Sequence, residues 1–488
     1  MAQPTTGADK FSGPDSPTLV AGVDSSTQSC KIVVCDAETG RVVRSGRAGH
    51  PDGTEVSAAA WWDAYRQASG RPGLLDGVRS IAVAGQQHGM VTLDERGELV
   101  RPALLWNDNR SAPDAADLIA ELGGPQAWAD AVGSVPVASM TVSKIRWLAR
   151  HEPEHAARTA AVLLPHDWLT WQLGGRSFDP VSDRGDASGT CYFDASANAY
   201  RHDLIRRGIG HDLAAPRIAR PEEVVGHTGD GIALAAGTGD NMAAGLGLGV
   251  GRGSAVVSLG TSGTVFTQSP EQTHDATGVV AGFADATGAF LPLVCTLNGA
   301  RNLVATARLL GLSVEQLSEA ALTAPPGSEG LTFVPYLEGE RTPPLPDARG
   351  QLIGVTLRNF STANLARAAI EGVLWSLAYG LRTLQRHVGE IDRIILTGGA
   401  AQSAAVRRIA PAVFGLPVAA TEPFESVAVG AARQAAWALG GRLPDWDVPY
   451  AGVYEPSAAD RAAAAELDAR YTEAVRRHVL DQPAGAAL

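Results

Sequence analysis

"TLVAGVDSSTQSCKIVVCDAETGRVVRS", residues 18–45, decides the fold. An apolar strand runs into a turn rich in Asp and Ser, then a second strand, an Ala-Glu-Thr-Gly turn and a third strand, which together make a meander. Residues 253–268, "GSAVVSLGTSGTVFTQ", repeat the first part: apolar strand, Gly-Thr-Ser-Gly turn, apolar strand. Similar hairpins so far apart in one chain predict two structurally related domains facing each other. Helical patterns such as "VSKIRWLARH" (142–151) and "ANLARAAIEGVLWSLAYGLRTLQRHV" (363–388) alternate with strands such as "SIAVAGQ" and "RIILTGG", the mark of α/β layers. The expected organisation is a tail over 1–17, a first domain over 18–236, a second over 237–445 and a helical segment over 446–488. In the last, "AADRAAAAELDARYTEAVRRHVL" reads as an amphipathic helix able to pack on either half.

A chain of 488 residues is too long for one ordinary core, in agreement with two domains. The formal net charge of −12 argues against a nucleic-acid surface, which needs clustered Lys and Arg. Four cysteines, at 30, 35, 191 and 295, form no CxxC pair and no metal-ligand spacing, so a reduced, cytoplasmic compartment is expected. The odd separation of Cys30 and Cys35 on one strand points them to opposite faces. The opening segment lacks an apolar stretch, and no run of eighteen apolar residues occurs, so neither a signal peptide nor a membrane span is expected. Trp61 and Trp62 lie in an amphipathic stretch and read as core.

None of the three lysines, Lys10, Lys31 and Lys144, follows a glycine, which excludes the GxxxxGK[ST] phosphate loop. The protein-kinase motif set is missing too. Three small-residue turns remain: "DSSTQSCK" (24–31), "GTSGT" (260–264) and "TGGAAQS" (397–403). Each follows an apolar strand, where backbone N–H groups and hydroxyls converge on an anion. Asp24 has two readings, a carboxylate for a hydrated Mg²⁺ or an Asx-turn. Asp240, in "AAGTGDNMAAGLGLGVG" (235–251), has two as well: a helix cap, or a base for phosphate chemistry. Lys144 is explained equally by a buried ion pair and by a ligand contact. The charged loop "EGERTPPLPDARG" (338–350) belongs beside the cleft or at an oligomer contact.

Together these residues resemble the FGGY carbohydrate-kinase family over about residues 18–440. "SMTVSKIRWLARH" (139–151) is similar to its first signature, with Lys144 and Trp147 at the fixed positions, and "GQLIGVTLRNFSTANLARAAIEG" (350–372) to its second, with Gly350, Gly354, Asn364 and Glu371 in register. The resemblance implies an α/β fold of two actin-like, ribonuclease-H-type domains around a central cleft. "AGQQHGMV" (84–91), "LLWNDNR" (104–110) and "GTGDNMAAGLGLG" (237–249) resemble the branch that phosphorylates D-xylulose with ATP, although many of its members carry Met-His where this chain has Gln87-His88.

The resemblance implies that Gln87, His88, Trp106, Asp108, Asp240 and Asn241 meet the sugar, with Asp240 as general base. Asp108 reads equally well as a cap for the next helix. Asp24, Ser26, Thr27, Lys31, Gly260, Thr261, Ser262, Gly263, Thr264, Gly398, Gly399, Ala400 and Ser403 would handle Mg-ATP, with Asp24 and Asp240 at the Mg²⁺. Glycines after Asp240 are expected to pack closely under the substrate. The implied partners are a small sugar and ATP, with no nucleic acid and no membrane, and a second copy of the chain in a homodimer. A ribokinase-type enzyme shares "GTGD", but its chains are shorter and carry that motif near the end. An actin-fold chaperone ATPase would not need "GQQHG" or the Trp106 stretch. A kinase for another ketose or polyol, such as ribulose or glycerol, is the alternative that differs least.

Overall fold

The protein's structure, a computed structural model, describes residues 17–480. The expected tail therefore lies, except for Pro17, outside the described residues. Two mixed sheets of seven strands each organise the chain. In the first, β1 (Leu19–Ser25), β2 (Ser29–Asp36) and β3 (Val42–Gly49) form the antiparallel meander. β4 (Val78–Gly85), β5 (Val224–His227), β6 (Ala233–Ala235) and β7 (Thr238–Gly239) complete it in the order β5-β6-β4-β1-β2-β3, with β7 on β4. The second sheet contains β8 (Ser254–Leu259), β9 (Gly263–Thr267), β10 (Ala281–Ala284), β11 (Phe290–Thr296), β12 (Arg393–Thr397), β13 (Val418–Thr421) and β14 (Tyr450–Tyr454). Its order is β10-β11-β9-β8-β12-β13-β14.

The two sheets share one plan. A central strand, β1 or β8, pairs antiparallel with the next strand of its meander and parallel with a later strand, β4 or β12. The second repeat was visible for only two strands because the hairpin strand β10 is inserted before its third, β11. The central strands are buried on both faces and read as near-continuous apolar runs. On the first sheet, Ala21, Val23, Cys30 and Ile32 face the helix Ala58–Ser69 with its buried Trp61, while Val20, Val33 and Cys35 face the opposite way. The two cysteines do point to opposite faces. Trp61 is core, whereas Trp62 is half-buried and stacks on Tyr65. The C-terminal helix Ala458–Leu480 chooses the second domain, adding Tyr471, Ala474 and Val475 to its core. Among the described residues no helix is long and apolar enough to cross a membrane.

One helix from the late part of the chain, Ser426–Gly440, covers the first sheet. Its Ala428, Ala431, Ala432 and Ala435 pack with Val20, Val33, Ala82 and Ala84. Backbones touch here. A Cβ on Gly22 would stand 1.9 Å from the Ala428 carbonyl oxygen, and one on Gly430 would stand 1.8 Å from that of Ala243. Gly247 has the same role, with the Ser426 carbonyl oxygen 2.1 Å from where its Cβ would be. The small residues after Asp240 therefore serve a helix of the second domain rather than a substrate, which corrects the sequence expectation. Gly430→Ala is expected to cost at least about 1–3 kcal/mol in denaturant unfolding, the range for overpacking. Gly440→Ala, on the same helix but with no atom within 4 Å of its Cβ position, is expected to be close to neutral.

Candidate active site

Two carboxylates, Asp24 and Asp240, anchor the site, and the charge of the first is felt by the second. Asp24 stands near the end of β1 and is 2% exposed. Its Oδ2 lies 3.5 Å from Lys31 Nζ, directly across the hairpin, while its buried Oδ1 has no hydrogen-bond partner among the described residues. Burial pushes the Asp24 carboxyl up, and Lys31 only partly offsets this. Asp240 opens the helix Asp240–Gly247, immediately after β7. Gly239 occupies the cap position, so Asp240 is the first helical residue and not the cap. Its carboxyl is pushed up to about 8 by burial, then by the charges of Asp24 and Asp186, against the backbone N–H groups of Asn241 and its own residue. Lys31 also binds Glu425 at 2.6 Å, the residue preceding the Ser426–Gly440 helix, so this cation bridges the two domains.

The residues expected around a sugar line the neighbouring wall. Asn241 Nδ2 donates to Gln87 Oε1 at 2.9 Å and to Asp240 Oδ1 at 3.1 Å, which ties the end of β4 to the Asp240 helix. Gln87 Nε2 is a buried donor without a partner among the described residues, and the amide nitrogen and oxygen of Gln86 are likewise unpartnered, as donor and acceptor. His88 takes a left-handed backbone, φ 67°, and its Nδ1 lies 2.8 Å from the Gly189 carbonyl oxygen. A carbonyl only accepts, so Nδ1 carries the proton and Nε2 presents a lone pair. Burial and Lys144 push the ring down to about 3, which keeps it neutral. Trp106 Nε1 donates to Thr27 Oγ1 at 2.8 Å, so Thr27, expected at the nucleotide, here steadies the indole.

Asp108 is held by the protein itself. Thr54 Oγ1 donates to one oxygen at 2.7 Å, and Arg110 donates to the other through Nε and its backbone N–H. Although burial acts to raise it, these bonds leave the Asp108 carboxyl below its ordinary value. Ser26 contributes its carbonyl to His50 Nδ1 at 2.8 Å.

The two remaining turns lie side by side, because β8 and β12 are parallel neighbours. The Gly260–Thr264 turn joins β8 to β9, and Thr261 and Ser262 have hydroxyls without protein partners among the described residues. Gly299 abuts the turn and Ala300 N–H donates to the Gly260 carbonyl at 2.8 Å. Gly398, with φ 96°, presses against the Leu259 backbone, where any Cβ would fall 2.7 Å from the carbonyl oxygen. Gly399 and Ala400 begin a short 3-10 turn, and Ser403 caps the helix Ala404–Phe414 while donating to Ser318 Oγ.

Beneath this wall lies a buried cluster that the sequence did not reveal. His166 Nδ1 is 2.7 Å from Asp186 Oδ2, and its Nε2 is 3.2 Å from Asp167 Oδ1 and 3.8 Å from Asp183 Oδ1. Asp183 caps the helix Arg184–Ser188 and accepts from Thr238 Oγ1 at 2.8 Å, just before Asp240. Burial opposes the imidazolium, but Asp167, Asp186 and Asp183 outweigh it and hold His166 at about 9.

A profile of the N-terminal domain of the FGGY family of carbohydrate kinases matches residues 19–247, and one of its C-terminal domain matches residues 255–439. This chain belongs to the FGGY family of carbohydrate kinases. It is 47% identical over 438 residues to a xylulose kinase of Streptomyces coelicolor, covering 87% of this chain and 88% of that one. A xylulose kinase of Escherichia coli is 32% identical over 407 residues, covering 79% and 82%. The crystal structure of a xylulose kinase from Bifidobacterium adolescentis superposes with a TM-score of 0.84 at 44% identity, covering 92% of this chain and 99% of that one. The fold is the two-domain, actin-like one.

In this FGGY kinase the family signatures support the site from behind. Lys144 is fully buried and donates to the carbonyls of Ala138 and Ser139 at 2.6 and 2.7 Å. It is neither a carboxylate's partner nor a cleft residue; burial holds it down at about 7. The Trp147 ring carries Arg110 at 5.0 Å and Arg101 at 5.6 Å, and so steadies the arginine that holds Asp108. Gly350 packs against Leu337, and Gly354 gives its carbonyl to Asn359 Nδ2; in the long helix Thr362–Val388, Asn364 donates to Glu329 and Glu371 pairs with Arg367 at 2.7 Å.

Because the folded pKa of His166 exceeds its ordinary 6.5, its contribution to stability is full below that value and lost as pH rises through about 9. His166→Gln, which strips three buried carboxylates of their cation, is expected to cost about 3–5 kcal/mol in denaturant unfolding at mildly acid pH. The gap should narrow as pH is raised through that window.

Proposed function

We propose that this kinase transfers the γ-phosphate of ATP to the 5-hydroxyl of D-xylulose, giving D-xylulose 5-phosphate, with Asp240 as the general base. The observation that carries the reading is the pairing of Asp240 with Asp24, at a helix start and beside the Asn241–Gln87 bridge, in a chain similar along most of its length to xylulose kinases. Phosphoryl transfer needs an acceptor for the hydroxyl proton and donors for the spreading charge. A carboxylate whose proton affinity has been lifted toward neutrality is suited to the first task. His88 Nε2 and the spare Gln87 donor suit the hydroxyls of a sugar, and Trp106 offers a ring to its carbon face. The unpartnered hydroxyls of Thr261 and Ser262, with the Gly260 and Gly398 turns, suit the polyphosphate.

The donor set also fits Mg²⁺. Asp24 keeps one buried oxygen without a hydrogen-bond partner among the described residues. That is the pattern for an ion held by one or two carboxylates and phosphate oxygens. Asp24, with Asp240, would hold it, and when bound it supplies positive charge to the polyphosphate. Asp240 meanwhile takes the hydroxyl proton, and the helix N-terminus behind it faces the phosphate with a positive dipole end. A second reading, another ketose or a polyol, rests on Gln87, whose spare buried donor sets the hydroxyl pattern the site accepts.

Coupled ADP release measured with xylulose, ribulose, glycerol and gluconate is expected to give the highest kcat/KM with xylulose, and a higher value with any of the others would overturn the substrate assignment. Asp240→Asn should lower turnover on the order of 10³-fold or more while nucleotide binding persists. In the wild type, kcat/KM should fall as pH drops below about 8, because the base must be deprotonated to act.

A further inference from the structure

The loop "EGERTPPLPDARG" (338–350) opens with three charged residues, two of which are accounted for within the protein. Glu338 binds Arg301 at 2.5 Å. Glu340 is 1% exposed and makes no ion pair among the described residues. Instead its Oε1 accepts from the N–H groups of Leu297 and Arg341, both at 2.7 Å, and its Oε2 accepts from Asn298 Nδ2 at 2.9 Å. On the far side of Arg341, Thr342 Oγ1 donates to the Cys295 carbonyl at 2.7 Å. Both neighbours of Arg341 are thus pinned to the end of β11, where Cys295 pairs with Thr264 of the Gly260–Thr264 turn.

A buried carboxylate satisfied by neutral donors is costly, and its effect here is to fix the course of the backbone that carries Arg341. The guanidinium of Arg341 is half-exposed and has no hydrogen bond, ion pair or ring contact among the described residues. Its charge is felt by His88 on the sugar wall and by Cys295, which in turn feels Asp240. The neighbouring cations are occupied: Lys31 by Asp24 and Glu425, Arg110 by Asp108 and Glu55, Lys144 by two carbonyls. Arg341 is left, among the described residues, as an unpaired planar fork on backbone pinned beside the Gly260–Thr264 turn, and such a fork matches the oxygens of a phosphoryl group.

We propose that Arg341 is a further catalytic residue, donating through its guanidinium to the phosphoryl group as it moves from ATP to the sugar. This rests on the kinase reading above. In that step the bond from phosphorus to the β–γ bridging oxygen breaks, a bond from phosphorus to the sugar oxygen forms, the hydroxyl proton passes to Asp240 and ADP leaves. Charge spreads over the three outer oxygens of the phosphoryl group, which is where a fork of donors stabilises it.

The test compares full-length wild type, Arg341→Ala and Arg341→Lys with whichever acceptor the wild type turns over best. Wild-type turnover tests the kinase reading; the ratio of variant to wild type tests the role of Arg341. For Arg341→Ala, kcat is expected to fall on the order of 10²-fold or more with sugar KM little changed, and to recover in part when guanidinium ion is added. Arg341→Lys should lie between the two. Thermal unfolding midpoints should match, since the head group has no protein partner to lose. Near-normal kcat in Arg341→Ala, a raised sugar KM at unchanged kcat, or a lowered unfolding midpoint without guanidinium recovery would each overturn the proposal.

Discussion

Backbone packed directly on backbone joins the two halves of this kinase. Gly22 of β1, Gly247 of the Asp240 helix and Gly430 of the Ser426–Gly440 helix each occupy a place where a Cβ would overlap a carbonyl oxygen of the other element. The strand that carries Asp24 and the helix that begins at Asp240 are therefore positioned by the same contact. A side chain inserted anywhere in it would move one carboxylate relative to the other. The surrounding residues are mostly alanines and valines, so the interface holds by close approach rather than by interlocked side chains.

That closeness has an electrostatic consequence. Asp240 lies in the fields of Asp24 and Asp186 and is desolvated by burial, and its carboxyl is lifted to about 8. Lys31 compensates Asp24 and His166 compensates Asp186, while Asp240 makes no ion pair among the described residues. A carboxylate left in that state is a far better proton acceptor than an ordinary aspartate, whose affinity is too low to take a hydroxyl proton near neutrality. The buried His166 cluster is thus more than filler: it lets two further carboxylates exist beside the strand leading to Asp240.

Much of this was legible in the sequence, and the limits have physical causes. The two meanders showed because near-continuous apolar strands and small-residue turns leave a local trace, as did Cys30 and Cys35 on opposite faces. Asp24, Gln87, His88, Trp106 and Asp240 stand out in the sequence because each lies in a turn or next to a strand end. The third strand of the second meander was hidden by the inserted hairpin strand β10. His166, Asp183 and Asp186 were missed because "PHDW" and "SDRGD" look like ordinary polar turns until the fold brings them together. Lys144 defied both readings, since an amine satisfied by main-chain carbonyls leaves no pattern in the side chains around it. The purpose of the glycines after Asp240 was misread for a similar reason: the helix they accommodate arrives from the far end of the chain.

The most direct test of Asp240 as the base is a crystal structure of the protein with D-xylulose and a non-hydrolysable ATP analogue, read for one distance. An Asp240 carboxylate oxygen is expected within about 3.2 Å of the sugar 5-hydroxyl oxygen, with that oxygen in line with the terminal phosphate. A sugar bound with its 5-hydroxyl beyond hydrogen-bonding reach of Asp240, and beside another base, would contradict it.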